Sequence, residues 1–169
     1  MRTLIRMVIL VIVFVGTCSI AEEIAGIFPG TPTKQLNSLL ADSSGNACQL
    51  ADKLDSPGGR AVLAGHSRWI VLIFLPLASG AVALTGRLLK YPLAFCLGVI
   101  VFLVAAQMLL MVAASPALPQ LTGLLGNPVS GVGATRADFG IGLALSIVVS
   151  GVILSIGRSH GVSRTTTTA

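Results

Sequence analysis

Six carboxylates, two imidazoles and three thiols are the whole stock from which this chain could build acid–base, metal or nucleophilic chemistry. Glu22, Glu23 and Asp138 stand at the ends of apolar segments, within reach of Arg68 and Arg136. Carboxylates there could do acid–base work on a lipid at the membrane surface, but the same placement is that of ordinary interfacial charge pairing. His66 and His160 fall on opposite sides of the membrane in the topology derived below, so they share neither a metal ion nor a proton. No CxxC, HExxH, GxSxG or phosphate-loop pattern occurs, and "GVGATRADFG" lacks the preceding strand and the lysine a nucleotide site needs. No catalytic, cofactor-binding or metal-ligating residue is therefore assigned.

The thiols divide by position. Cys18 and Cys48 fall on the same, extracytoplasmic side, where they could form a disulfide tying a loop to the first helix. Cys96 sits just inside a helix start and reads as a small apolar filler.

These residues must be positioned by elements that the charge pattern delimits. Of the 169 residues 54% are hydrophobic and only 10% charged, with a mean hydropathy of +0.92. Soluble domains carry about 25% charged residues. No charge occurs in residues 69–86, 91–135 or 139–157. Uncharged apolar runs of about 18 residues or more are the mark of membrane-spanning helices. The expected fold is all-α, an integral membrane bundle of four transmembrane helices with both termini cytoplasmic. Its spans are 1–21, 69–86, 91–114 and 139–157, joined by an outer loop 22–68, a turn 87–90 and an outer loop 115–138, and followed by a tail 158–169. Ser19-Ile20-Ala21 before Glu22 has the spacing of a signal cleavage site, yet we read residues 1–21 as a retained anchor. Pro76 should kink the second span.

Orientation follows from the cations. Arg2, Arg6, Arg87, Lys90, Arg158 and Arg164 crowd into short tails and one tight turn, whereas the other five cations are spread over two long loops. Positive residues in short loops near helix ends face the cytoplasm, where they also meet anionic lipid. Tyr91 and Trp69 fall at the two boundaries, where amphipathic aromatics anchor helices. The basic balance thus belongs to a membrane surface; no aromatic-rich basic patch speaks for nucleic acid.

In the first outer loop, Thr31-Pro32 begins a short helix that places Leu36, Leu39 and Leu40 on one face. A second short helix after Asn46 would align Ala47, Leu50, Ala51 and Leu54, and Ser56-Pro57-Gly58-Gly59 would end it. The second outer loop is apolar yet holds three prolines and four glycines, so it is not a continuous span. Leu118, Leu121, Leu124 and Leu125 would form an interfacial interaction helix that rests on the membrane or a partner; the alternative is a re-entrant loop.

Within the spans the polar residues are few. Gly142, Ser146 and Ser150 repeat every four residues, and Ser79 and Ala83 do likewise, giving smooth stripes for close helix packing. Gln107 should hydrogen-bond a neighbouring helix or subunit. Coupled transporters carry ionisable groups inside the membrane, and these spans do not. The expected function is a non-enzymatic accessory, assembly or scaffolding subunit of a larger membrane complex, with other membrane subunits or further copies of itself as partners. A small channel or transporter component is the alternative, and a lipid-acting enzyme ranks third. The Arg-over-Lys excess suits a bacterium, in its plasma membrane.

Overall fold

The computed structural model describes residues 1–42, 53–54, 56–113 and 134–156. They form five helices: α1 (Arg2–Ile27), α2 (Pro32–Ala41), α3 (Pro57–Leu88), α4 (Leu93–Ala113) and α5 (Arg136–Ile156). No strand occurs among the described residues. All but α2 are long and apolar enough to cross a membrane, so the protein is an all-helical integral membrane bundle. The spans run up and down between two ends. At the hairpin end lie Arg6, Arg87 and the α3–α4 turn; at the cap end α2 sits on α1 and α3.

Helices α1 and α3 outrun their uncharged segments. At 1.5 Å per residue, the 26 residues of α1 and the 32 of α3 span about 39 and 48 Å, against about 30 Å of hydrocarbon. The excess of α3 is its first part, residues 57–68, which stands beyond the apolar run as a polar extension. Ser56-Pro57 therefore starts a helix where the sequence reading has it end one. The Ser56 hydroxyl accepts from Gly59 N, and Pro57 occupies the first turn, where a missing N–H costs nothing.

Helix α3 is the central element, packing against α1, α4 and α5, most extensively against α5. The core joins Leu10 and Phe14 of α1, Leu75, Ala78 and Val82 of α3, and Ile100, Leu103 and Val104 of α4. Pro76 acts here in an unexpected form. The helix widens into a π turn over Ile70–Phe74, and Leu75 N donates to Ile70 O. Since Pro76 has no N–H, the carbonyl of Val71 has no backbone donor at either the fifth or the sixth position of its turn. That carbonyl faces α5 at Gly142, where a Cβ would stand 2.5 Å from the oxygen and 2.6 Å from Val71 Cγ1. Only glycine lets the two backbones approach this closely.

Next to this contact Ser79, Ser146 and Ser150 are fully buried, and each donates to a carbonyl of its own helix: Leu75 O at 2.7 Å, Gly142 O at 2.8 Å and Ser146 O at 2.6 Å. Satisfied within their helices, they present small surfaces and leave no unbonded hydroxyl in the interior. Ala83 is buried as well, and Cys96 is buried against Gly86, with Sγ against the position of a Cβ there.

The α3–α4 turn closes by two backbone bonds, Tyr91 N to Gly86 O at 2.8 Å and Lys90 N to Arg87 O at 3.1 Å. This is the Schellman pattern, whose C′ residue must be left-handed. Lys90 holds that place at φ 55°, where glycine would be easier by roughly 1 kcal/mol. At the hairpin end of α5, Arg87 Nη1 donates to Ile153 O at 3.3 Å, occupying a carbonyl in the last turn of the helix.

Gly142→Ala should therefore destabilise the protein by about 1–3 kcal/mol, since the clash is with backbone that cannot swing away. Gly98→Ala, where a Cβ meets nothing within 4 Å, should leave the melting temperature in detergent unchanged or raised. Equal melting temperatures for Gly142→Ala and the native chain would refute the close approach.

Candidate functional site

The cap end holds the most elaborate set of polar contacts. Helix α2 starts with Thr31 as N-cap and Pro32 in its first turn, and Lys34 N donates to Thr31 Oγ1 at 3.3 Å. The same hydroxyl donates to Ala25 O at 2.6 Å, on the last turn of α1, which fixes the angle between α1 and α2. On its other side α2 rests on α3 where Gly65 admits Pro32, whose ring carbons lie 3.2 and 3.3 Å from the position of a Cβ.

Three side chains from three helices meet beneath this cover. Thr33 Oγ1 of α2 lies 3.2 Å from His66 Nδ1 of α3, and His66 Nε2 lies 3.6 Å from Glu22 Oε1 of α1. Thr33 is 1% exposed and His66 7%, while Glu22 opens to solvent. A carboxylate only accepts, so the imidazole proton belongs on Nε2, facing Glu22, and Nδ1 accepts from the Thr33 hydroxyl. Burial pushes His66 below the usual imidazole range; the Glu22 carboxylate pulls the other way and is the smaller influence.

Hydroxyl, imidazole and carboxylate in this order are the parts of a nucleophilic relay. Here the hydroxyl is sealed under its own helix, so the contact joins α1, α2 and α3. Among the described residues no group of three His, Cys, Asp or Glu side chains could hold a metal ion.

A second tie fixes α5. Thr135 and Asp138 form a reciprocal cap: Asp138 N donates to Thr135 Oγ1 at 3.2 Å and Thr135 N to Asp138 Oδ2 at 2.8 Å. Arg68 Nε of α3 reaches the same oxygen at 3.3 Å. Of the acids at the helix ends, Arg68 thus pairs with Asp138.

Of the expected packing residues, Ser79, Ala83, Gly142, Ser146 and Ser150 are buried in the bundle. Gln107 is half-buried on α4, and its side chain makes no hydrogen bond to another described residue. Cys18 is half-buried on α1, and its expected partner Cys48 lies outside the described residues. Outside them also lie Leu118, Leu121, Leu124, Leu125, His160, Arg158, Arg164 and most of the second short helix. At the hairpin end Arg2, Arg87 and Lys90 are exposed and Arg6 is half-buried, its guanidinium carbon 5.0 Å from the centre of the Tyr91 ring. Sequence reasoning missed the Thr33–His66–Glu22 contact. The signal was the Ser56-Pro57 helix start, which carries α3 back far enough to turn His66 toward α1. No protein-family model, curated protein or solved structure matches this chain significantly.

The cap should respond to acid. A buried imidazole held below its ordinary value of 6.5 binds its proton less readily folded than unfolded. Its contribution is complete above pH 6.5 and is lost as the pH falls below it. The native protein should therefore melt at a lower temperature at pH 5 than at pH 7.5, and His66→Gln should reduce that difference. An unchanged pH dependence in His66→Gln would remove the imidazole from this role.

Proposed function

We propose that this is a non-enzymatic accessory, assembly or scaffolding subunit of a larger complex in a bacterial plasma membrane. The observation that carries this reading is the cap: a short amphipathic helix held by Thr31, Thr33, His66 and Glu22 on the ends of two spans. These contacts tie elements together and leave the outer face of α2, with Lys34, Gln35, Asn37, Ser38 and Leu40 exposed, as a braced platform. A mixed polar and apolar surface of this kind suits docking of another protein. The hairpin end faces the cytoplasm in this reading, because Arg2, Arg6, Arg87 and Lys90 gather there beside helix ends.

A second reading, a channel or transporter component, draws on Gln107, whose half-exposed amide would line a path formed with neighbouring subunits. Flux in proteoliposomes that falls in Gln107→Leu would favour it.

Affinity purification in mild detergent should retain a stoichiometric membrane partner, and substitutions on the outer face of α2, such as Gln35→Arg with Ser38→Arg, should release it. A stable monomer that never retains a partner contradicts the proposal. In a chain otherwise free of cysteine, a thiol reagent that cannot cross membranes should label Ser56→Cys in intact cells and spare Arg87→Cys. The opposite pattern reverses the orientation.

A further inference from the structure

Among the described residues, the cations of the hairpin end, Arg2, Arg6, Arg87 and Lys90, have no carboxylate partner. Glu22 and Asp138 are engaged at the cap end. The C-terminal stretch 157–169 contains no Asp or Glu either.

The four cations are not equivalent. Arg87 is turned to the last carbonyls of α5 through Ile153 O. Arg6 lies over the Tyr91 ring, and that ring packs edge-on against Phe95 with centroids 6.3 Å apart. The ring is half-buried against the core, so it offers the guanidinium a fixed seat. A guanidinium lying over an aromatic ring keeps N–H donors free at its edge, in the fork that suits a phosphate.

Lys90 immediately precedes Tyr91 in the turn. It holds the left-handed C′ position, φ 55°, which glycine fills most easily, and both backbone bonds of the Schellman turn fix it there. A strained lysine in a place suited to glycine is a departure that packing does not explain, since Lys90 is exposed. Arg6 thus lies over the ring and Lys90 precedes that ring in a backbone-fixed turn at a membrane boundary, and neither pairs with an acid among the described residues.

We propose that Arg6, Tyr91 and Lys90 form a discrete site for the phosphate of an anionic phospholipid. Arg6 supplies the forked donors, Lys90 a second positive charge, and Tyr91 holds the guanidinium at head-group depth. A zwitterionic head group satisfies the site poorly, because its own ammonium compensates the phosphate. The site is independent of the accessory-subunit reading and of which leaflet the hairpin end faces.

The full chain in detergent, titrated separately with phosphatidylglycerol, phosphatidylcholine and inorganic phosphate, tests this by native mass spectrometry. One phosphatidylglycerol per chain should persist, with phosphatidylcholine and inorganic phosphate held much more weakly. Arg6→Gln and Lys90→Gly should each weaken phosphatidylglycerol about fivefold, the effect of one interfacial cation. Arg87→Gln, with the same charge change, should leave it within about twofold. Lys90→Gly relieves the strained turn, so its melting temperature should equal or exceed that of the native chain, which separates lost binding from lost folding. Equal retention of phosphatidylcholine, equally strong binding of inorganic phosphate, or an equal loss in Arg87→Gln would each overturn the site.

Discussion

No charged side chain stands in the central turns of the four long helices, so nothing electrostatic holds them together where they cross the membrane. Lipid tails compete with leucine on equal terms there, and association has to come from close packing. The bundle meets this constraint at the α3–α5 seam. The Val71 carbonyl, released by Pro76 and the π turn, meets a helix that has glycine at that height. Buried serines on both helices keep the seam thin by bonding to their own carbonyls. The whole arrangement depends on one missing N–H and one missing Cβ.

The charged residues do their work at the borders. Arg68 ties α3 to the cap of α5, Arg87 ties it to the other end of α5, and Arg6 ties α1 to the α3–α4 turn through Tyr91. Each lies near where a span leaves the hydrocarbon, so each can bind a neighbour without being fully desolvated. The interior sets how close the helices come, and the borders set their register. At the cap end a buried imidazole extends the same logic to α2.

Much of this was legible in the chain. The four spans follow from where charges are missing, because a charge inside hydrocarbon is too costly to scatter. The stripe of Gly142, Ser146 and Ser150 was legible because four-residue spacing fixes a helix face whatever the partner is. Pro76 announced a distortion, but not its form: whether a proline bends a helix or widens it depends on what packs against the freed carbonyl. His66, Thr33 and Glu22 are spread over three helices, and only the fold brings them together. The length of α3 was misread because Ser56-Pro57 serves equally as a stop and as a cap, and the polar residues after it hide the continuing helix. The seat of Arg6 on Tyr91 was likewise hidden, since 85 positions of sequence separate the two residues.

The charge-free segments must lie within the hydrocarbon for the bundle to be held in this way, and depth measured by electron paramagnetic resonance is the sharpest test of that placement. Spin labels at Leu77 and Ile147, both exposed on the outside of the bundle, would be compared in liposomes with one at Ser56. Oxygen should relax the first two strongly while a water-soluble nickel chelate fails to reach them, and Ser56 should show the reverse. A nickel chelate that relaxes Leu77 and Ile147 as readily as Ser56 would contradict the account.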